Sequence, residues 1–415
     1  MSAINRMIQL GAIGALLMGL AQTGFANSPI SCGVTVVGQS NSSIDVPAVN
    51  AAVNQPPVSG EVTVCLSGVF DFGSTVESVV INPGPTVTAL HIVGVNATSG
   101  AQATIRNGIL PVIMLPPATL PSLTIENLRF EKPAFAAVSI LTANGYVRVS
   151  GLQIVASQTY LDPDLFNLTF REGIVVSSVG PVTGEVDITN NFIDGGTYSA
   201  ADQALVVSAG IELVGQGGAG NTQPFTAQVR VAGNRLSNWS GSGISALSAQ
   251  NVTIEKNAID PGRFANLSSG CQTNGAGASN GIGSANGIGL ANVTNFTVRD
   301  NIITLVPSLT GSGAPPACTA ALIVSGTAGS SAKGNLVYHN QILGVGSYGM
   351  VLGTVGGATD GSTETDNVFA LNSVFGFAAR NAALYLGPEA NGNVLVGFFP
   401  SLAGNTAGNV VINGP

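Results

Sequence analysis

A six-residue frame recurs eight times between residues 125 and 374, and it constrains the fold more than any other feature of the chain. Each copy consists of an apolar residue, two free positions, Asn or a substitute for it, another free position and a second apolar residue. The copies are Ile125–Phe130, Val149–Ile154, Ile188–Ile193, Val231–Leu236, Ile254–Ile259, Val298–Ile303, Val337–Ile342 and Phe369–Val374. Their fourth residues are, in order, Leu128, Leu152, Asn191, Asn234, Asn257, Asn301, Asn340 and Asn372.

A second segment recurs between successive frames and begins with a small residue followed by an apolar one. Its first two residues are Ala137-Val138, Gly173-Ile174, Gly210-Ile211, Gly243-Ile244, Gly287-Ile288, Ala321-Leu322, Gly349-Met350 and Ala383-Leu384. Frame and segment both have the alternation of short strands, and no helical pattern separates them. The fixed pairing of the two patterns predicts a coiled parallel β-solenoid and argues against unrelated turns of a β-sandwich.

Stacking of coils explains the residue types at the recurring positions. Neighbouring coils of a solenoid lie about 4.7–4.9 Å apart, so equivalent residues form columns. We expect a column of Asn at an inward-turning corner to bond amide to amide and to satisfy the polar groups of a buried bend. Gly or Ala at the start of the second segment suits a tight corner where a larger side chain would collide.

The paired patterns resemble the right-handed parallel β-helix repeats of the pectin-lyase-like superfamily. The N-terminal part adds to this resemblance, because Ile44–Asn54 reads as a capping helix with apolar Val46, Val49 and Val53, followed by an irregular first coil. The resemblance implies an all-β chain, folded as a single-stranded right-handed parallel β-helix of about nine to eleven coils with a short N-terminal capping helix.

The same resemblance leaves the activity open. The lyases of the superfamily use Arg or Lys as a base near acidic residues that hold calcium, and its hydrolases use clustered aspartates on neighbouring coils. Neither arrangement matches this sequence, so the catalytic residues are unknown and enzymatic activity is undecided. As an enzyme, the protein would be a polysaccharide lyase or a glycoside hydrolase.

Residues 1–26 read as a secretory signal peptide. Arg6 supplies the positive charge, Ile8–Leu20 the short apolar region, and Gly24-Phe25-Ala26 a cleavage site before Asn27. We therefore expect an exported protein, located in the periplasm, outside the cell or at its surface. Retention of this segment as an anchor is the alternative, and no membrane span is expected in the mature chain.

The mature chain is expected to form one extended solenoid. Residues 27–120 would make the N-terminal cap and the first irregular coils, and residues 121–415 the regular coils with their loop insertions. The formal net charge is -8 with 13 Lys and Arg residues, which argues against nucleic acid as a partner. It also argues against strong attraction to polyanions unless basic residues cluster locally. A monomer is expected.

Four cysteines in an exported chain suggest two disulfides. Cys32 and Cys65 both lie in the N-terminal cap, and Cys271 and Cys318 follow the frames of Asn257 and Asn301 at matching positions in neighbouring coils. We therefore predict Cys32–Cys65 and Cys271–Cys318, although four cysteines allow three connectivities. A metal site is the rival interpretation, but the chain has no CxxC spacing and only two His, so no metal site is predicted.

Stacking also turns columns of polar residues into candidate binding surfaces. The residue before each frame gives a column with Arg148, Asp187 and Arg230, and the second frame position gives one with Glu255 and Arg299. One interpretation is favourable pairing on an exposed sheet, and the other is a strip that holds a sugar chain. The candidate substrate-binding residues are Asp187, Glu212, Arg230, Glu255 and Arg299, and Asp187 with Glu212 is the nearest approach to a carboxylate pair.

No cofactor is established by the sequence. Asp360, Glu364 and Asp366 form the densest acidic cluster, inside the Gly-rich turn Gly356–Asn367. Alternating oxygen donors in such a turn make calcium a candidate ligand, because this cation takes six to eight oxygens. The alternative is a simply hydrated loop.

Three functions fit these observations. The first is an exported protein that binds or processes a polysaccharide in a groove between a sheet face and a wall of loop insertions. The second is a non-catalytic surface or adhesion protein, and the third is a periplasmic accessory protein. The insertions of the loop wall are residues 155–172, 194–209, 215–226, 262–286 and 305–319.

Overall fold

The computed structural model shows a long solenoid of parallel strands. It describes residues 31–57, 59–75, 77–96, 102–155, 170–195, 207–218, 221–239, 242–260, 286–305, 320–327, 329–344, 348–353, 361–376, 383–397 and 401–412. Residues 33–415 form one compact unit. No described helix is both long and apolar enough to cross a membrane.

One helix and thirty-five strands make up the described chain, and the helix is α1 (Ser42–Asn54). The strands of the first third are β1 (Val34–Gln39), β2 (Gly60–Asp71), β3 (Glu77–Val80), β4 (Val87–Val95), β5 (Thr104–Arg106), β6 (Leu110–Met114), β7 (Ser122–Glu126), β8 (Arg129–Glu131), β9 (Ala136–Ile140), β10 (Tyr146–Ser150) and β11 (Gln153–Val155).

The strands of the middle are β12 (Phe170–Ser177), β13 (Glu185–Thr189), β14 (Phe192–Asp194), β15 (Val207–Val214), β16 (Gln228–Ala232), β17 (Arg235–Ser237), β18 (Ser242–Leu247), β19 (Val252–Glu255), β20 (Ala258–Asp260), β21 (Asn286–Ala291), β22 (Thr297–Arg299) and β23 (Ile302–Leu305). The strands of the last part are β24 (Ala320–Ser325), β25 (Ser331–Lys333), β26 (Leu336–Tyr338), β27 (Gln341–Gly344), β28 (Tyr348–Leu352), β29 (Thr363–Thr365), β30 (Val368–Ala370), β31 (Ser373–Phe375), β32 (Leu384–Leu386), β33 (Val394–Val396), β34 (Leu402–Gly404) and β35 (Val410–Ile412).

Each coil contributes strands to two large parallel sheets. Sheet A has 22 strands and sheet B has 11, and strands β25 and β29 form a small third sheet. From β7 onward sheet A consists of two adjoining tracks, one through β7, β10, β13, β16 and β19 and the other through β8, β11, β14, β17 and β20. The eleven strands of sheet B agree with the predicted nine to eleven coils.

The six-residue frame spans the bend between the two tracks of sheet A. In Ile188–Ile193, the first two residues end β13 and the last two begin β14. The third frame position has a positive φ in all eight copies, at Asn127, Gly151, Asn190, Gly233, Lys256, Asp300, His339 and Leu371. This left-handed residue bends the chain between the two tracks, and the fourth residue of every frame is buried.

The predicted asparagine ladder runs through this bend. Oδ1 of Asn234 accepts hydrogen bonds from the backbone N (3.0 Å) and Nδ2 (2.9 Å) of Asn191. The same two bonds join Asn234 to Asn257, Asn257 to Asn301 and Asn301 to Asn340, and they continue to Asn372. All six asparagines are buried, so the ladder satisfies backbone groups that water does not reach.

A second asparagine ladder was not anticipated from the sequence. It consists of Asn335, Asn367, Asn393 and Asn409, which precede the last two frames and the last coils. At each step the backbone N and Nδ2 of one asparagine donate to Oδ1 of the next. Each follows a residue with positive φ, namely Gly334, Asp366, Gly392 and Gly408. The signal in the sequence is a recurring Gly or Asp followed by Asn and two apolar residues.

The N-terminal helix caps the first coils as predicted. The side chain of Asn41 accepts from the backbone N of Ser43 at the start of α1. The buried carboxylate of Asp45 accepts from the backbone N of Gln39 (2.8 Å), Asn41 (2.9 Å) and Asp71 (2.9 Å). This single side chain therefore fastens the helix to the ends of β1 and β2.

Two asparagines of the helix cover the first strand of sheet B. Asn50 donates to the carbonyl of Ser78 and its Oδ1 accepts from the backbone N of Val80 (3.2 Å). Asn54 donates to the carbonyl of Val80 at 2.7 Å. The amides stand in for a neighbouring strand, so the edge of β3 does not offer unpaired backbone groups to another chain.

Cys32 and Cys65 are disulfide-bonded, which confirms that predicted pair. Cys271 and Cys318 lie outside the described residues, so their bond stays a prediction. Residues 1–26 also lie outside them.

We predict that Asn301→Ala lowers the free energy of unfolding by about 1–3 kcal/mol, because it leaves buried donors and acceptors of the ladder unpaired. Urea unfolding followed by circular dichroism measures this. Asn82→Ala is the control, since Asn82 is exposed and its side chain makes no hydrogen bond to a described residue. Equal losses for the two variants would contradict the ladder's contribution.

Candidate functional site

Each strand of sheet B turns a corner at the small residue of the second segment. A Cβ on Gly173 would lie 2.6 Å from Cγ2 of Ile193, and one on Gly243 would lie 2.4 Å from Cγ2 of Ile259. The small position therefore faces the interior, and the apolar residue after it, such as Ile174, is buried as well. Because two successive residues face inward, the residues on either side of them point away from the apolar core. Several of these, such as Ser139, Ala320 and Val351, are nevertheless buried.

Two outward columns consequently run side by side along sheet B, and we call them together the sheet B face. The first column contains Ala136, Glu172, Ala209, Ser242, Asn286, Ala320 and Tyr348. The second contains Ser139, Val175, Glu212, Ser245, Gly289, Ile323, Val351 and Tyr385.

Glu172 and Glu212 meet on the sheet B face. Glu172 lies in the first column and Glu212 in the second, one coil further along. Their carboxyl groups are hydrogen-bonded to each other. Glu172 is 5% exposed and its Oε2 makes no hydrogen bond to a described residue, whereas Glu212 is half-buried. The pair thus has one shielded member and one that solvent reaches.

Burial and the neighbouring carboxyl group raise the pKa of Glu172 well above its ordinary value. Burial is the larger cause, and the hydrogen bond and the like charge of Glu212 add to it. Two carboxyl groups in contact cannot both ionise without strong repulsion, which is why the neighbouring Glu212 raises the pKa of Glu172 further. Shifts of this kind are typical of acid–base groups in active sites.

Two tyrosines repeat the diagonal placement of the carboxyl pair further along the same face. The rings of Tyr348 and Tyr385 lie 5.0 Å apart with their planes at 49°, and both residues are half-buried. Five coils separate Glu212 from Tyr385, which corresponds to about 24 Å at the strand spacing. The columns between them carry small or polar side chains at Ser242, Ser245 and Asn286 and apolar ones at Ala320, Ile323 and Val351.

A second polar surface lies on the first track of sheet A. The buried carboxylate of Glu255 accepts from Nε of Arg230 at 2.8 Å and is 2.6 Å from Nη2 of Arg299. Nη1 of Arg299 also donates to the hydroxyl of Tyr338 at 3.2 Å. Burial by itself would raise the pKa of Glu255, but the hydrogen bonds from Arg230 and Arg299 bring it below its ordinary value. Three of the candidate residues are therefore brought together here.

Asp187 and Glu212 do not form a pair. Asp187 lies on β13 in sheet A, where its Oδ2 accepts from the hydroxyl of Tyr146 at 3.1 Å. Glu212 lies on β15 in sheet B. The two strands belong to different sheets. The suggestion from the sequence that Asp187 and Glu212 approach a carboxylate pair was therefore wrong.

A surface cleft of about 330 Å³ opens beside Asp187 on the first track of sheet A, and we call it the A-face cleft. Its lining comes from successive coils and consists of Arg148, Asp187, Thr189, Asn190, Arg230, Ala232, Gly233 and Lys256. The register puts Arg148, Asp187 and Arg230 in one column, yet no ion pair joins them. Arg148 and Lys256 are exposed and make no ion pair with any described residue.

The acidic turn that suggested calcium is divided in the structure. Glu364 is buried and accepts from the backbone N of Gly326 at 2.7 Å. Asp366 is exposed and lies 3.4 Å from Nζ of Lys333. The two carboxylates serve different partners, and Asp360 lies outside the described residues. Within the described chain no cluster of three acidic, His or Cys residues is arranged to hold a metal ion.

No protein-family model and no curated protein matches the sequence. Among solved structures, DFA-IIIase from Arthrobacter chlorophenolicus A6 without its lid aligns with a TM-score of 0.52 at 12% identity, covering 94% of this chain and 98% of that chain. The Dettilon tailspike protein aligns with a TM-score of 0.45 at 14% identity, covering 91% and 68%. A pectate lyase aligns with a TM-score of 0.43 at 13% identity, covering 88% and 80%.

The fold is a right-handed parallel β-helix of the pectin-lyase-like type. At such low identity the similarity extends to the fold alone. This confirms the fold that the resemblance of the repeats implied, including the helix at the N-terminal end.

Glu172 is the site residue that the sequence analysis missed. It stands directly before the small residue of the second segment, a position whose outward direction follows from the corner at Gly173 and not from strand alternation. Counting alternate residues back from the buried Ile174 places Glu172 inside the solenoid. Only the two successive inward residues bring it beside Glu212.

We predict that Glu172→Gln stabilises the protein relative to wild type as the pH rises. The folded pKa of Glu172 is raised, so its favourable contribution is fully present below the unfolded pKa of about 4.3 and is lost as the pH rises through the folded pKa. Urea unfolding at a series of pH values measures the difference. Glu185→Gln, an exposed residue, is the control, and a difference independent of pH would contradict the prediction.

Proposed function

We propose that this chain is an exported carbohydrate-processing protein that acts on a glycan lying along the sheet B face. The observation that carries the proposal is the buried Glu172 carboxyl group hydrogen-bonded to the half-buried carboxyl group of Glu212. A buried oxygen without a protein partner, as at Oε2 of Glu172, is unfavourable by about 1–3 kcal/mol and needs a functional or structural reason.

The exposures of the two glutamates assign different roles to them. Glu212 is the residue that a sugar on this surface would contact, whereas Glu172 is shielded and acts through its hydrogen bond to Glu212. Glu212 would be the catalytic acid and Glu172 a positioning residue that keeps a proton in the pair. In hydrolysis the proton passes to the leaving oxygen as the C–O bond breaks, water adds to the anomeric carbon, and a proton from that water returns to the pair.

The contact between the carboxyl groups distinguishes this pair from the usual glycosidase arrangement. Retaining glycosidases separate their two carboxyl groups by about 5–5.5 Å and inverting ones by about 6.5–9.5 Å, with the glycosidic bond between them. Groups that are hydrogen-bonded leave no space for a sugar. Glu172 and Glu212 would therefore work on one side of the substrate as a single proton-transfer unit.

We infer the substrate class from the side chains of the sheet B face and from the solved structures that share the fold. Hydroxyl and amide side chains at Ser242, Ser245 and Asn286 suit hydrogen bonds to sugar hydroxyls, and the half-buried tyrosines offer apolar ring surface. Proteins that share this fold include DFA-IIIase, which aligns with a TM-score of 0.52. The Cys32–Cys65 disulfide favours an oxidising compartment, which supports export.

A non-catalytic glycan-binding or adhesion protein is the second candidate. The observation that favours it is again the contact between the carboxyl groups, which suits a hydrogen bond to a sugar hydroxyl as well as it suits proton transfer. A periplasmic accessory role belongs to the same class of function.

We predict that Glu212→Gln lowers the turnover of a cleaved polysaccharide by at least about 100-fold, the usual contribution of a general acid. Reducing ends and unsaturated uronates released from a panel of acidic and neutral polysaccharides measure the activity. Glu172→Gln should instead change the pH profile, because it alters the proton that the pair holds. Glu185→Gln on the other face should leave turnover unchanged.

Two outcomes decide between the candidates. Turnover that survives Glu212→Gln would exclude the carboxyl pair as the reacting group. Glycan binding that weakens in Glu212→Gln, without turnover in the wild type on any polysaccharide of the panel, would establish the non-catalytic candidate.

We predict that Tyr348→Ala weakens binding of long glycan chains roughly fivefold, about 1 kcal/mol, and leaves short oligomers unaffected. The reason is that Tyr348 lies four coils, about 19 Å, from Glu212, a distance that only a long chain can span. Calorimetry with oligomers of increasing length measures the effect. An equal loss for short and long chains would show that the tyrosines do not form a remote part of the binding surface.

A further inference from the structure

We propose that the A-face cleft is a second glycan-binding site, separate from the carboxyl pair, which takes a carboxylate or sulfate group of an acidic polysaccharide. Arg148, Arg230 and Lys256 line its length and would contact successive anionic groups of the polysaccharide. This site does not depend on the function proposed for sheet B, because its residues lie on the first track of sheet A.

The shape of the cleft follows from the residues of one coil. The coil of β16 presents Ala232 and Gly233 beside Arg230, so small side chains leave a space between the larger ones of the flanking coils. Arg148 lies two coils before Arg230 and Lys256 lies one coil after it. At the strand spacing, the three cations therefore line about 14 Å of the solenoid.

Cationic side chains outnumber carboxylates in the lining of the cleft. Among the lining residues, Asp187 supplies one carboxylate, which accepts from the hydroxyl of Tyr146, against three cations. Glu255 is paired with Arg230 and Arg299. Arg148 and Lys256 have no ion-pair partner among the described residues. A protein of net charge -8 with only 13 Lys and Arg residues thus concentrates unpaired positive charge at one cleft. Such a local arrangement attracts an anion despite the overall charge.

The uncharged residues of the lining indicate what kind of molecule would carry the anionic group. Thr189 and Asn190 provide a hydroxyl and an amide beside the cations, and these groups suit the hydroxyls of a sugar ring. The guanidinium groups match the planar oxygens of a carboxylate or sulfate. Nucleic acid fits less well, because the cleft offers no aromatic ring for base stacking and the net charge repels a long phosphate chain.

The test measures the binding of three polysaccharides to the full chain by calorimetry at low and physiological salt. Alginate presents carboxylates, dextran sulfate presents sulfates and dextran presents neither. The variant is Arg148→Gln with Lys256→Gln. The control is Lys132→Gln with Arg235→Gln, which removes the same charge at exposed positions outside the cleft, and Lys132 shares with Lys256 a positive φ.

We expect the cleft variant to bind alginate, dextran sulfate or both at least tenfold more weakly than the wild type, with the control unchanged and dextran not bound at the cleft. The loss should shrink as salt rises. The polymer that loses affinity identifies carboxylate or sulfate as the recognised group. Equal binding by the cleft variant and the wild type would overturn the proposal. Binding of single-stranded DNA that is as tight as that of the glycans and equally dependent on Arg148 would overturn the choice of a glycan.

Discussion

The asparagine ladder at the bend of sheet A is the interaction on which the rest of the solenoid depends. Each coil bends there between the two tracks of sheet A and buries backbone groups that cannot bond water. The side chain of Asn234 supplies an acceptor to both the backbone and the amide of Asn191, and Asn257 does the same for Asn234. The ladder therefore fixes the register of successive coils as well as satisfying the bend, and every outward column inherits that register.

Because the register is fixed, positions that repeat along the sequence form continuous columns on two separate sheet surfaces. The free positions of the frame become columns on sheet A, where Glu255 links Arg230 and Arg299 and leaves the A-face cleft with unpaired cations. The free positions of the second segment and the residue before it become columns on sheet B, where burial and the neighbouring Glu212 raise the pKa of Glu172. The apolar ladders between the sheets hold both surfaces rigid, since each buried Ile or Val contributes about 1.5–3 kcal/mol. Binding or catalytic groups on such a scaffold keep their positions without any substrate.

Glu172 in the carboxyl pair and Glu255 on sheet A have pKa values shifted in opposite directions. Burial and the neighbouring Glu212 raise the pKa of Glu172, whereas the hydrogen bonds from two arginines bring the pKa of Glu255 below its ordinary value. Burial is the larger cause at Glu172, whereas at Glu255 the hydrogen bonds and charges of Arg230 and Arg299 outweigh the effect of burial. The neighbours are set by the column in which each residue lies, which is why residues far apart in sequence carry the chemistry.

The sequence by itself determined the coils, the first asparagine ladder, the capping helix and the Cys32–Cys65 bond, because each rests on a local pattern that repeats or on residues close to the N-terminus. The columns of Arg148, Asp187 and Arg230 also follow from the frame alone. Only the tertiary structure decided which side chains meet. Strand alternation puts Glu172 inside, but the corner at Gly173 has two inward residues in succession and turns Glu172 outward beside Glu212. Asp187, by contrast, was separated from Glu212 by the change of sheet between them.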